Sequence, residues 1–444
     1  MDKNHILKLG RRRFLQAAVA LGGMPLVRVM PAWAEDHAPL GTYPAGVAGE
    51  TAFVGVTVPL TGPYAAAGED ILHGYELAFD HLNHGGGLVD TIPTLSGKGV
   101  LGKRVIYKVD DSQTQPNPAV ESQTRFITKD KAILMTGSIS SATAIALEKL
   151  AQREKVLYMT GTTNSNDTTG KDCQRYGFRN QTSAYMVSVA MAPVLAQELG
   201  RKRKAIYLIP DYTYGHSMFD SFSHFTEKEG WTTVGKQAVP VGTTDFSSYL
   251  INIANSGADV LVNVMFGDDA NASTKQAQQF GIFKKVKMVL PGISPFQAKE
   301  VGADLMGGVY GSVDFWWTMA EMIPAAKIFV DTFEAKYHYK PEWSAQIGYS
   351  QMIIWADAVE RAKTFYPPAV IKALEAGHKL ALPIGTGYYR ACDHQMVRGV
   401  PVVVGKKSSE MRGPDDFYRI IKIVPGEDSV PACSESACKL GSYT

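Results

Sequence analysis

From residue 52 onward, short apolar runs alternate with stretches whose apolar positions recur every three or four residues. Residues 52–59 are a β-branched run that predicts a strand, and Thr61-Gly62-Pro63-Tyr64 predicts a turn. Leu72, Tyr75, Ala78, Phe79 and Leu82 then share one face of a helix over 71–82, which Gly85-Gly86-Gly87 ends. The alternation continues with strands predicted at 105–109, 132–136 and 156–160 and helices at 120–128 and 142–153. A second run predicts strands at 205–209, 231–239, 259–266 and 286–290, and helices at 217–229, 247–255 and 272–280. Helical patterns return at 325–337, 346–362 and 369–376, and strands at 387–391, 400–404 and 418–423. Short strands alternating with amphipathic helices specify parallel sheets covered on both faces. The break in pattern near 177–204 divides them into two α/β lobes.

Composition narrows the class. At 444 residues the chain exceeds what one core organises. Charged residues at 20% and aromatics at 10% belong to a folded protein, not a disordered one. Mean hydropathy is −0.09, and no apolar run reaches the roughly 18 residues of a membrane span, which excludes a polytopic membrane protein. The formal charge of +2 argues against nucleic-acid binding, but it is the sum of two unlike parts. Arg11-Arg12-Arg13-Phe14-Leu15 resembles a twin-arginine export signal, a short apolar stretch follows, and Ala32-Trp33-Ala34 is a small-x-small cleavage site. Residues 1–34 hold six of the basic residues and one acidic residue. The remainder has 39 basic against 42 acidic, a net charge of −3. We therefore expect a signal peptide at 1–34, a flexible leader at 35–50 and a mildly acidic protein exported to the periplasm, where disulfides are permitted. Cys433 and Cys438 have the spacing of a small-loop disulfide in the polar tail 425–444, and Cys173 and Cys392 are left to pair or stay free; three connectivities are open.

Ligands of open parallel sheets bind beyond the carboxyl ends of the strands. That rule nominates loops 60–64, 110–115, 137–141 and 160–166 in the first lobe, and 210–215, 266–270 and 292–295 in the second. These loops carry hydroxyls, amides and aromatics, not nucleophile–base pairs. Ser138, Ser140 and Ser141 stand at a predicted helix start, where N–H groups and hydroxyls hold a carboxylate or simply cap the helix. Gly97 to Gly102 matches G-x-G-x-x-G, but a strand follows it, so it reads as a turn. His81 and His84 fit the end of a helix better than a metal site, and Arg201-Lys202-Arg203-Lys204 reads as a solvated turn.

Several segments together resemble the periplasmic leucine/isoleucine/valine-binding protein family: Gly55 to Tyr64, Leu82-Asn83-His84-Gly85-Gly86, Gly102-Lys103-Arg104-Val105, Asp110-Asp111, Gly137 to Ser141, Asp211 to Gly215, Gln276 to Gly281 and Arg390 to Gln395. The likeness spans roughly residues 51–424. It implies a type I periplasmic-binding fold, with two Rossmann-like lobes joined by a three-strand hinge and closing on a small molecule. The expected lobes are 51–180 with 315–385, and 181–314 with 386–424. It further implies that Ser141, Thr162 and Asn164 hold the ligand from the first lobe. Tyr214 and Phe266 would close from the second, and Tyr64 is expected among the ligand-binding residues. Gly292 occupies the position where amino-acid binders of this family place an ammonium-binding glutamate; Asp268 or Asp269 is the expected substitute, failing which the ligand is an amide, a urea-like compound or a carboxylic acid. The resemblance implies no cofactor, no chemistry, a monomer, and an ABC-transporter permease as partner. A twin-arginine-exported metal or cofactor enzyme, and a ligand-sensing subunit, are the rival expectations.

Overall fold

The computed structural model describes Val47 and residues 49–443. The predicted export segment, and most of the predicted leader, lie outside the described residues.

The first run folds as β1 (Thr51–Val58), α1 (Ala65–His84), β2 (Arg104–Asp111), α2 (Pro116–Thr128), β3 (Leu134–Gly137), α3 (Ser141–Glu154), β4 (Leu157–Thr160) and β5 (Gly177–Arg179). These strands form a parallel sheet in the order β2-β1-β3-β4-β5. Every residue of β3 and β4 is buried, as expected of central strands roofed on both faces.

The second run supplies α4 (Ala184–Leu199), β6 (Lys204–Pro210), α5 (Thr213–Lys228), β7 (Thr232–Val239), α6 (Ser247–Asn255), β8 (Val260–Asn263), α7 (Gly267–Gln279), β9 (Lys287–Leu290), α8 (Pro295–Val301), α9 (Ala303–Met306) and β10 (Tyr310–Ser312). The chain continues through α10 (Pro324–Tyr337), α11 (Trp343–Ala362), α12 (Pro367–Glu375), β11 (Leu380–Leu382), β12 (Gly385–Tyr389), β13 (Met396–Val397), β14 (Val400–Gly405), β15 (Tyr418–Val424) and α13 (Gly426–Ser429). The second sheet has seven strands, β15-β14-β10-β9-β8-β6-β7, with β14 and β15 antiparallel at one edge. The two-residue period of β6 defines its layers. Ala205, Tyr207 and Ile209 join a core with Met186, Met191, Met218 and Phe222 of α4 and α5. Ile206 and Leu208 join a separate core with Leu250, Ile253, Ala270 and Ala277 of α6 and α7.

Helix α4 occupies the stretch where the pattern shows only a break. Ten of its sixteen residues are buried, around most of its circumference, so it lacks the polar stripe that gives a surface helix its period. Helix α11 returns to the first sheet and is packed along α1. No helix among the described residues is long and apolar enough to cross a membrane. The glycine triplet at 97–102 is a turn, with Val100 bridged to Lys103 just before β2. His81 shares a hydrogen bond with Tyr349, and His84 with Asp80, both at 2.9 Å in the last turn of α1.

The chain passes between the lobes at 180–183, at 313–316 and near 393–399. Buried side chains knit these passages together. Arg179 Nε donates to Gln395 Oε1 (2.7 Å), and Gln395 Nε2 donates to the Gln181 carbonyl (2.9 Å). Arg398 donates to the Asp314 carbonyl and, at 3.3 Å, to Asn180 Oδ1.

The cysteine pairing differs from the small-loop expectation for Cys433 and Cys438. Cys438 bonds Cys173 and Cys433 bonds Cys392. The reason is the path of the tail. After α13, which packs against α4, the tail runs across to the first lobe, where Arg175 donates to the Gly441 carbonyl and Tyr176 Oη to that of Tyr443. Along that path Cys433 meets Cys392 and Cys438 meets Cys173, so the tail does not fold back on itself.

Candidate functional site

One cavity lies between the lobes at the carboxyl ends of both sets of strands. The first lobe lines it with Ile139, Ser141, Thr162, Thr163, Asn164 and Trp343; the passages add Gln181 and Asp314; the second lobe adds Val187, Tyr212, Tyr214, Phe266, Pro291, Gly292 and Ser312. The space open to the centre of a water molecule is about 40 Å³. The lobes are therefore close together around it. Tyr64 Oη meets Tyr212 Oη at 3.4 Å, and the Asp268 N–H donates to the Pro63 carbonyl at 3.0 Å.

The first-lobe wall begins with a backbone device. Gly137 has φ +112°, and a Cβ there would lie 2.1 Å from the Thr57 carbonyl oxygen. Ser138 follows at φ +82°, its Oγ tied to Ser140. This turn delivers the chain into α3, whose first-turn N–H groups receive no side-chain cap from Ser140 and so remain donors with partial positive charge. Ser141 heads that helix. Its Oγ accepts from Thr163 Oγ1 (3.0 Å) and from the Ser165 N–H (3.1 Å). A hydroxyl has two acceptor positions and one proton. Both acceptors are used, so Ser141 offers a ligand a donor only.

Thr162 and Asn164 follow β4. Asn164 Nδ2 donates to the Thr182 carbonyl at 2.5 Å, which leaves its Oδ1 without a partner among the described residues. Thr162 Oγ1, Gln181 Oε1 and Trp343 Nε1 are likewise buried and unpartnered. Asp314 is 5% exposed and is held on all sides. Thr182 donates to its Oδ1 from N–H and Oγ1 (both 3.0 Å), Gln181 Nε2 donates to its Oδ2 (2.9 Å), and Arg398 Nη1 stands 3.6 Å from Oδ1.

The second-lobe wall is aromatic. Phe266 caps the start of α7 and contacts Tyr64 and Trp343 across the cleft, with ring centroids 5.3 and 5.7 Å apart. Tyr214, in the first turn of α5, packs beside Tyr212 at 5.9 Å. Burial pushes the hydroxyls of both tyrosines up, so they stay neutral.

Of the residues expected at the site, Ser141, Thr162, Asn164, Tyr214 and Phe266 line the cavity. Tyr64 stands one layer back, behind Tyr212 and Phe266. Asp268 and Asp269 do not line it. Helix α7 starts at Gly267 and carries both away, and Asp269 Oδ2 instead accepts from the Gly242 N–H (2.9 Å); burial raises its pKa to about 6. At Gly292, a Cβ would lie 3.2 Å from Tyr214 Oη. Tyr214 thus fills the space from which a glutamate would project. Gln181, Asp314 and Trp343 were missed. Their signal was position: the first two sit in the passages, and Trp343 opens a helix late in the chain.

Comparison with known proteins agrees with this geometry. Residues 51–410 match the family described as periplasmic binding protein. A Brucella abortus protein named Leu/Ile/Val-binding protein homolog 8 is 25% identical over 372 residues, covering 81% of this chain and 85% of its own. The solved amino acid ABC transporter substrate-binding protein of Pseudomonas fluorescens Pf-5 superposes with a TM-score of 0.77 at 26% identity, covering 89% of this chain and all of the other. A Rhodopseudomonas palustris solute-binding protein, solved with benzoate, gives a TM-score of 0.74 at 20% identity over 88% of this chain and all of the other.

Proposed function

The chain belongs to the periplasmic binding protein family, and from that premise we propose that it captures a small polar organic ligand and hands it to an ABC-transporter permease. The ligand is an amino acid or a related amide or carboxylic acid. The observation that carries this reading is the cavity itself: donor-only Ser141 and unpartnered Thr162, Asn164 and Gln181 face the second lobe's aromatics across a closing cleft. The two lobes move as separate bodies about the passages that Arg179 and Arg398 knit. The protein performs no chemistry and acts as a monomer. Family membership implies the periplasm, and the segment around Arg11 and Arg12 directs export by the twin-arginine route; Arg11→Lys with Arg12→Lys should leave uncleaved precursor in the cytoplasm.

Native mass spectrometry of freshly purified protein tests the central reading. We expect a mass excess that disappears on unfolding, and a thermal shift when the released compound is added back. No retained compound, together with no shift from any amino acid, amide or carboxylic acid, would reject it.

A further inference from the structure

The binding role proposed above is the starting point, and the polarity of the cavity narrows what fills it. Charge comes first. Among the described residues, Asp314 is the one carboxylate lining the cavity, and its oxygens are committed to Thr182, Gln181 and Arg398. Among the described residues, no lysine, arginine or histidine lines it. A ligand ammonium would find no free anion, and a ligand carboxylate no cation beyond the start of α3. Either charge would be held in a dry site without its partner, which is costly.

Donors and acceptors come next. The two amides cannot be turned round, because each nitrogen faces a group that only accepts: the Thr182 carbonyl for Asn164 and the Asp314 carboxylate for Gln181. Asn164 Oδ1 and Gln181 Oε1 therefore remain as acceptors with nothing to accept. On the other side of the count stand the Ser141 hydroxyl proton and the Trp343 indole N–H, both donors. The complement is an uncharged group with N–H donors and a carbonyl acceptor.

We propose that the cleft takes a small neutral molecule bearing a primary carboxamide or urea-type group. Its carbonyl oxygen meets Ser141 at the start of α3, and its N–H groups meet Asn164 Oδ1 and Gln181 Oε1. A short alkyl or aryl substituent lies against Tyr214 and Phe266, and the small free space limits its size.

Calorimetry with matched trios on extensively dialysed protein tests this: acetamide, acetate and glycine; propionamide, propionate and L-alanine; benzamide, benzoate and phenylglycine; with urea alongside. The expected result is that the tightest binder is an amide or urea, at least about tenfold tighter than the acid and amino acid of the same skeleton, the size of one hydrogen bond to a buried partner. A tightest binder that is an acid or an amino acid, or no amide binding better than its acid, overturns the proposal. Asn164→Leu should weaken the amide about tenfold or more while leaving the matched acid unchanged; equal losses overturn the assignment of Asn164 Oδ1. Binding of an acid or amino acid would remove this ligand class and keep the binding role. No binding by any compound, with nothing retained in native mass spectrometry, would remove both.

Discussion

The two walls of the cleft differ in what they leave unsatisfied. The first-lobe wall and the passages hold buried polar atoms without partners, at Thr162, Asn164 and Gln181. The second-lobe wall offers rings already packed, with Phe266 on Tyr64 and Trp343, and Tyr214 on Tyr212. An unpaired buried polar atom discriminates sharply between ligands, because the wrong ligand leaves it unpaired. Packed rings discriminate weakly but contribute area and exclude water. In the binding role proposed above, selection would belong to the first wall and the stability of the closed state to the second.

The strongest test strikes the joint between the walls. Asp314→Asn removes the countercharge of Arg398, which is fully buried. Stranding a buried charge costs about 3–5 kcal/mol, and urea unfolding should show a loss of that size. A loss below about 1 kcal/mol would mean that Asp314 is not the pivot that joins selection to closure. Next in size is Phe266→Ala. It deletes two aromatic contacts that form only when the lobes meet. At roughly 0.5–1.5 kcal/mol each plus lost area, affinity for every ligand should fall by about 2–3 kcal/mol. The ranking among ligands should not change; a changed ranking would break the division of labour.

The five lining residues read from the sequence were legible for one reason. Ser141, Thr162, Asn164, Tyr214 and Phe266 all sit just past strand ends, and parallel sheets place ligands there. Family likeness then sorted them by lobe. Asp268 and Asp269 misled because a loop and a helix start look alike in sequence. The pattern starts this helix at 272, but α7 begins at Gly267, and each residue of helix turns the side-chain direction by about 100°. Asp314 and Gln181 were invisible because passages between lobes have no hydrophobic period, and Trp343 because it stands in the first turn of α11, ahead of the start at 346 that the pattern predicts. Helix α4 was hidden because burial around most of its circumference leaves no polar stripe. The disulfides were illegible because pairing depends on the path of the tail and not on spacing.

Ser141→Ala sharpens the comparison from the other side. It removes one donor and leaves Thr163 and the Ser165 N–H without their acceptor. Binding should weaken by about 1–3 kcal/mol, a range that reaches lower than that for Phe266→Ala. Unlike that variant, it should act unequally, penalising ligands in proportion to their reliance on a carbonyl or carboxylate oxygen. Uniform loss across ligands, measured by calorimetry, would place selection elsewhere.

The smallest effect concerns the seam beside the cavity. Asp70 and Glu342 are buried together at the start of α11, next to Trp343. Asp70 accepts from the N–H groups of Ala345 (2.6 Å) and Glu342 (3.3 Å) and from Tyr339 Oη (3.1 Å). Glu342 Oε2 accepts from Ser294 Oγ (3.1 Å), on the second-lobe loop that also carries Gly292. Burial raises the pKa of both, and their mutual repulsion adds to the rise for Glu342. The folded state thus holds a proton that the unfolded chain has released above the ordinary carboxylate range, near pH 4. Protons bound by the folded state exceed those bound by the unfolded one in that window, so stability falls as pH rises through it and is fully present below it. The slope is at most about 1.4 kcal/mol per pH unit for each proton held. Glu342→Gln mimics the protonated acid and keeps an oxygen for Ser294. It should flatten the fall in Tm between pH 5 and 7.5 without shifting ligand ranking. Parallel Tm curves for variant and parent would mean that Glu342 does not hold an extra proton in the folded state.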